Sequence, residues 1–152
     1  MKEKRLLILL IVVMALVAML LIPLTGCAGE VSVTTASLSE ATMCKSIDQE
    51  TQQPIEKGDV YPTDAEAFYC SVKLSNAPAD TVVSAQWIYV QGEEASLNNY
   101  LIDETSVTTD GTRYVGFSLT RGPESPAWPR GDYIVKLLVD GKEKITVPFK
   151  VQ

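Results

Sequence analysis

Histidine is absent from all 152 residues. That removes Ser-His-Asp and Cys-His catalysis, and most transition-metal centres, from what this chain can build by itself. There is also no G-x-S-x-G elbow, no S-x-x-K and no glycine-rich phosphate loop. The three cysteines include no C-x-x-C pair. Spacing of that kind favours redox chemistry, and two cysteines without histidine make a poor zinc site.

Carboxylates are plentiful, 19 against 13 basic residues, but their arrangement does not suit acid-base work. Glu93-Glu94 and Asp103-Glu104 are chain neighbours. Neighbours in a strand point to opposite faces, whereas glycoside hydrolysis needs two carboxyl groups facing each other across roughly 5–10 Å. Solvated loop and edge charges are the better reading. Asp59, Asp64 and Glu66 offer oxygens to calcium but match no EF-hand spacing. The expectation is a non-enzymatic chain with no cofactor and no metal.

What is present begins with Lys2, Lys4 and Arg5, followed by an uncharged apolar run from Leu6 to Ile22. A basic start before an apolar run is an export signal. The run is long for a cleaved signal and barely long enough to span a bilayer, so its length leaves both outcomes open. Leu24-Thr25-Gly26-Cys27 follows, and it resembles the lipobox of bacterial lipoproteins: an aliphatic residue, two small ones, then a cysteine. The resemblance implies a lipoprotein signal peptide over 1–26, with Cys27 as the lipidated first residue of the mature chain. An uncleaved N-terminal anchor is the other reading, and both put residues 28–152 outside the cytoplasm. With two or three acyl chains, each buried CH₂ adding about 0.8 kcal/mol, the protein would be held stably at a membrane face. Ala28 in place of an aspartate is compatible, by that family's sorting rule, with export to an outer membrane where there is one.

Cleavage at this point removes three basic residues and Glu3, taking the net charge from −6 to −8. An acidic surface argues against nucleic acid and against a polybasic grip on anionic lipid. If Cys27 carries lipid, Cys44 and Cys70 remain as an even pair in an oxidising compartment, where a disulfide is expected. The loop it would close is roughly 27 residues, worth about 3.5 kcal/mol on a chain-entropy estimate.

Residues 27–37 read as the lipidated cysteine and a Ser/Thr-rich flexible tether, or as the start of a weak edge strand at Val31; the folded domain occupies 38–152. From there short strands alternate with turn chemistry, and no helical stripe of useful length appears. Residues 41–47 are a plausible first strand, and 48–66 a polar connection holding Pro54, Gly58 and Pro62. Phe68, Cys70, Val72 and Leu74 alternate with polar neighbours, and after a turn at 75–80 so do Val83, Ala85, Trp87 and Tyr89. Trp87 is the expected centre of the core. A further strand near Tyr100, a turn at Asp110-Gly111, and Val115, Phe117 and Leu119 come next.

The last hairpin allows a register argument. A plain two-residue turn at Asp140-Gly141 would place Leu137 opposite Lys144. One extra residue would instead let Ile145, Val147 and Phe149 join Val135, Leu137 and Val139, so a three-residue turn with a G1 bulge and Gly141 at positive φ is expected. Pro148 belongs on an edge or at a bulge.

About seven strands in roughly 115 residues indicate an all-β, antiparallel two-sheet sandwich, here preceded by an N-terminal hydrophobic signal helix. Cys70, then Trp87, then Tyr133 in Gly131-Asp132-Tyr133 resemble the strand B cysteine, strand C tryptophan and tyrosine corner of the immunoglobulin-like fold. Val135 stands where the second cysteine of that fold would be, so the resemblance implies no inter-sheet disulfide and leaves Cys44 as the partner of Cys70. A fibronectin type III-like sandwich fits equally.

The best candidate for recognition is the loop Ser125-Pro126-Ala127-Trp128-Pro129-Arg130. Exposed, Trp128 would stack on a sugar or anchor a protein while Arg130 added charge selectivity; buried, it would plug the end of the sandwich, and that structural role is favoured. The functional expectation is a lipid-anchored binding module on the extracytoplasmic face, with an envelope protein or glycan as partner and no nucleic acid. The alternative is an accessory structural subunit of a larger envelope membrane complex.

Overall fold

The computed structural model describes residues 34–152. The expected signal helix over 1–26 and Cys27 lie outside the described residues. The described chain is nearly all β: β1 (Ser37–Ile47), β2 (Pro54–Lys57), β3 (Val60–Tyr61), β4 (Ala67–Gly92), a single 3₁₀ turn (Ala95–Leu97), β5 (Tyr100–Thr120), β6 (Gly131–Val139) and β7 (Lys142–Val151).

These strands form one curled seven-stranded sheet in the order β2-β1-β4-β6-β7-β3, with β5 paired to β4 off that path. The strand number agrees with expectation, but its composition does not. Residues 75–80 and Asp110-Gly111 do not reverse the chain. They face each other in one long antiparallel ribbon of β4 and β5, where Ala77 is opposite Gly111 and register shifts flank the contact. Asn76, Asp80 and Gly111 all take positive φ, so residues with turn chemistry bend the ribbon instead of ending its strands. The connection at 48–66 supplies the two remaining short strands.

The bend has a structural consequence. Before it, β4 is flanked by β1 and the second half of β5; after it, by β6 and the first half of β5. The inward residues of both halves, Phe68, Cys70, Val72, Leu74 and Val83, Ala85, Trp87, Tyr89, meet in one core with Val115, Phe117, Leu119, Val135 and Leu137. Trp87 is fully buried at its centre, and within 6.0 Å it packs edge-on against Phe149. Tyr61 of β3 holds the curl together: its hydroxyl donates to the Cys44 carbonyl of β1 at 2.6 Å, while its own strand runs parallel to β7.

The last hairpin corrects one expectation and supports another. Asp140 and Gly141 form a two-residue turn, both at positive φ (48° and 78°), as a type I′ turn requires. Val139 therefore does face Lys142. The extra residue enters at Lys144 inside β7, because Leu138 pairs with Glu143 but Leu137 with Ile145. From there Val147 faces Val135 and Phe149 faces Tyr133, the pairing that the alternation called for. Pro148 sits opposite Ile134, and β3 reaches β7 only at Lys150 and Val151, so its missing N–H faces no partner strand.

The expected disulfide is absent: Cys44 and Cys70 are free, buried thiols. The reason lies in register. Ser39 faces Lys73 but Thr42 faces Ser71, so Glu40 and Ala41 together oppose Val72 in a bulge, with Glu40 at φ 52°. The slip turns Met43 toward Cys70 and Cys44 toward Tyr69, so the two cysteines leave the ladder on opposite faces and their Cβ vectors diverge.

Candidate interaction edge

Trp128 does not form a recognition surface. It is 8% exposed, its indole N–H donates to the Ala65 carbonyl at 2.9 Å, its backbone N–H donates to Thr63, and its ring lies 4.5 Å from that of Phe68. It plugs the core beneath the 62–66 segment, the structural role expected of an apolar residue in the loop that leads to the Tyr133 corner. Tyr133 completes this corner by donating its hydroxyl to the Pro129 carbonyl, four residues upstream, at 2.6 Å. Arg130 is exposed, and its backbone does the structural work: its N–H donates to Glu93 Oε1 at 2.7 Å and its carbonyl accepts from Tyr89 and from the Glu93 N–H.

The carboxylate pairs have local duties. Glu93 clamps Arg130, and Glu94 accepts from Ser96. Asp103 lies opposite Trp87 and Glu104 opposite Gln86, so they point to opposite faces, as neighbours in a strand must. Among the described residues no group of three or more acidic or cysteine side chains is arranged to hold a metal ion, so Asp59, Asp64 and Glu66 do not converge.

The feature that stands out is an edge. The sheet path ends at β2 and β3, and both ends are blunted. β2 has four residues and starts at Pro54, whereas β3 has two and is followed by Pro62. Short strands and prolines are the usual guards against unwanted strand pairing. β5 is different. It runs for 21 residues, contains no proline and no lysine, and pairs only with β4 among the described residues. No other described strand bonds its second row of backbone N–H and C=O groups; within that row the Glu104 N–H donates to Asp103 Oδ1 at 2.9 Å.

The first half of β5 is open on its faces as well. Val107 lies opposite Val83 and Tyr100 opposite Tyr89, partners that are buried in the core. Yet Tyr100 is 53% exposed and Val107 37%, and Leu101 on the outer face is 46% exposed. Of the apolar residues at 100–109, only Ile102 packs against the core that covers Val115, Phe117 and Leu119. This surface combines backbone hydrogen-bonding capacity with apolar side chains, as strand addition requires. Sequence reasoning identified a strand near Tyr100, but not an edge. The signal that was available is the unbroken run without proline or lysine.

No protein-family model matches the chain, and no curated protein matches it. Solved structures do resemble it. An alkylpurine DNA glycosylase of Pseudomonas fluorescens, bound to DNA containing an abasic site analog, aligns with a TM-score of 0.50 at 16% identity, over 77% of this chain and 30% of that one. A β-glucosidase of Listeria innocua in complex with gluconolactone aligns with a TM-score of 0.50 at 11% identity, over 78% of this chain and 16% of that one. At such identities the likeness is one of fold alone, and this chain spans less than a third of either protein.

Proposed function

We propose that the chain is a non-enzymatic, lipid-anchored binding module. In this reading Cys27 holds it to the extracytoplasmic face of a bacterial membrane, and the curled sheet is an immunoglobulin-like or fibronectin type III-like sandwich. The observation that carries the proposal is the 21-residue β5, free of proline and lysine and, among the described residues, paired on one side only, in a sheet whose path ends in the short strands β2 and β3. An edge of that length is a liability unless it is used. Strand addition by a partner protein would cover both its backbone groups and its exposed Tyr100, Leu101 and Val107.

The sandwich assignment is supported by the bent β4–β5 ribbon, since strands that change sheets do so through bulges and bends. It is also supported by the Tyr133–Pro129 hydrogen bond, the contact that defines a tyrosine corner. A protein partner is favoured over a glycan because Trp128, the aromatic best suited to stack on a sugar, is buried.

Site-specific photo-cross-linking in intact cells tests the proposal. A cross-linker at Leu101 or Val107 of the full chain should capture one reproducible protein, and the same group at the exposed Ile55 of β2 should not. Capture equal at all three positions, or none, would overturn it.

A further inference from the structure

We infer that the occupant of the β5 edge is an extended segment of another protein that carries basic side chains, paired along Tyr100–Thr109. This rests on the reading of β5 as the interaction edge and adds the chemistry of the partner. Residues 100–109 carry Asp103 and Glu104 and no lysine or arginine. The two carboxylates lie on opposite faces, Asp103 accepting from the Glu104 N–H at 2.9 Å and Glu104 from Gln86 Nε2 at 3.1 Å, with no cation on either among the described residues. Each side of an added strand therefore meets one negative charge. The nearest guanidinium along the strand, Arg113, is held by Asp110 at 3.0 Å. Opposite charges facing each other across paired strands stabilise, and like charges destabilise.

The same carboxylates argue against a second copy of the chain. Antiparallel pairing of residues 100–109 with themselves supplies two acids from each copy and no base from either. On either side of the charges, Leu101 and Val107 provide exposed apolar contacts. The matching segment therefore alternates basic with apolar or β-branched residues, the pattern of a half-buried strand of opposite charge.

The test uses the full chain and two synthetic ten-residue peptides of one design, one alternating lysine with valine and threonine and the other with glutamate in place of lysine. Hydrogen–deuterium exchange is followed by mass spectrometry. The lysine peptide should slow exchange within 100–109 and the glutamate peptide should not. Asp103→Asn and Glu104→Gln should each weaken the lysine peptide by about 3-fold, the scale of one exposed ion pair. Both positions are exposed, and an unchanged urea midpoint shows that these variants remain folded. Equal protection by both peptides overturns the charge assignment while leaving the edge intact as an interaction surface. Protection outside 100–109, or none with the lysine peptide, also overturns the inference. Failure of cross-linking from Leu101 and Val107 in cells would instead strike the underlying reading.

Discussion

Cys70 faces Met43, and Cys44 faces Tyr69, so the two cysteines expected to be bonded lie on opposite sides of one pair of strands. Without the bulge at Glu40-Ala41, the pairing of Ser39 with Lys73 would continue and bring Cys44 opposite Phe68, onto the same face as Cys70. Both thiols are buried, and burial first, then the neighbouring Cys44 sulfur, pushes Cys70 up to about 12. Thiolate is the reactive form, so both should resist alkylation in the folded protein and react only on unfolding. Peptide mapping after iodoacetamide treatment checks this, and reductant should leave the thermal midpoint unchanged. A linked Cys44–Cys70 peptide would contradict the register.

Alkaline pH should destabilise the fold. Cys70 is raised from its ordinary 9.0 to about 12, and burial also raises the Tyr61 and Tyr133 hydroxyls above the ordinary range. Above the ordinary values the unfolded chain releases protons that the folded chain keeps, so rising pH favours unfolding. Stability should be full below pH 9.0 and fall as pH climbs toward the raised values. Urea midpoints measured between about pH 8 and 11 report the slope, and Cys70→Ala should flatten it. On the acid side, Tyr114 and then Lys73 hold Glu40 below its usual range, and Gln91 and then Lys150 do the same for Asp132. Those contributions are present above the ordinary carboxylate range and lost as pH falls through it.

Trp128→Ala should act on stability and not on recognition. Losing the ring that packs on Phe68, together with the hydrogen bond to Ala65, should cost about 3 kcal/mol, as large aromatic truncations in cores do. Urea denaturation gives the value. Retained stability with lost capture of a partner would return Trp128 to the role of a recognition residue.

Gly92→Ala should destabilise despite its small size. Gly92 and Gly131 face each other across β4 and β6, and a Cβ at Gly92 would lie 2.6 Å from the Gly131 Cα and 2.6 Å from the Tyr89 hydroxyl. Backbone cannot move aside as a flexible side chain can, so overpacking of about 2 kcal/mol is expected in urea denaturation. Gly58→Ala, which meets nothing, is the control.

The strand faces were legible because alternation reports which side is buried. Phe68 through Leu74 and Val83 through Tyr89 lie inward as their spacing implied, and Trp87 is at the centre. Strand ends were less legible. Ser-Asn-Ala-Pro-Ala-Asp and Asp110-Gly111 carry turn residues, and positive φ at Asn76, Asp80 and Gly111 serves a bend as well as a reversal. The Glu40 bulge has no glycine to announce it, so the face of Cys44 was hidden. The open edge was hidden for a different reason. Whether β5 has a second neighbour depends on residues far away in the chain, and the run without proline or lysine shows only that the strand is unguarded, not that it is unpaired.

Amide exchange over Tyr100–Thr109, compared between the purified full chain and the same chain in membranes from cells that produce it, tests the central claim most directly. Amides that point away from β4 should exchange quickly in the purified protein and slowly in the membranes, where a partner strand covers them. Equal rates in both preparations, or new protection confined to the Ser125–Arg130 loop, would contradict the assignment of β5 as the interaction edge.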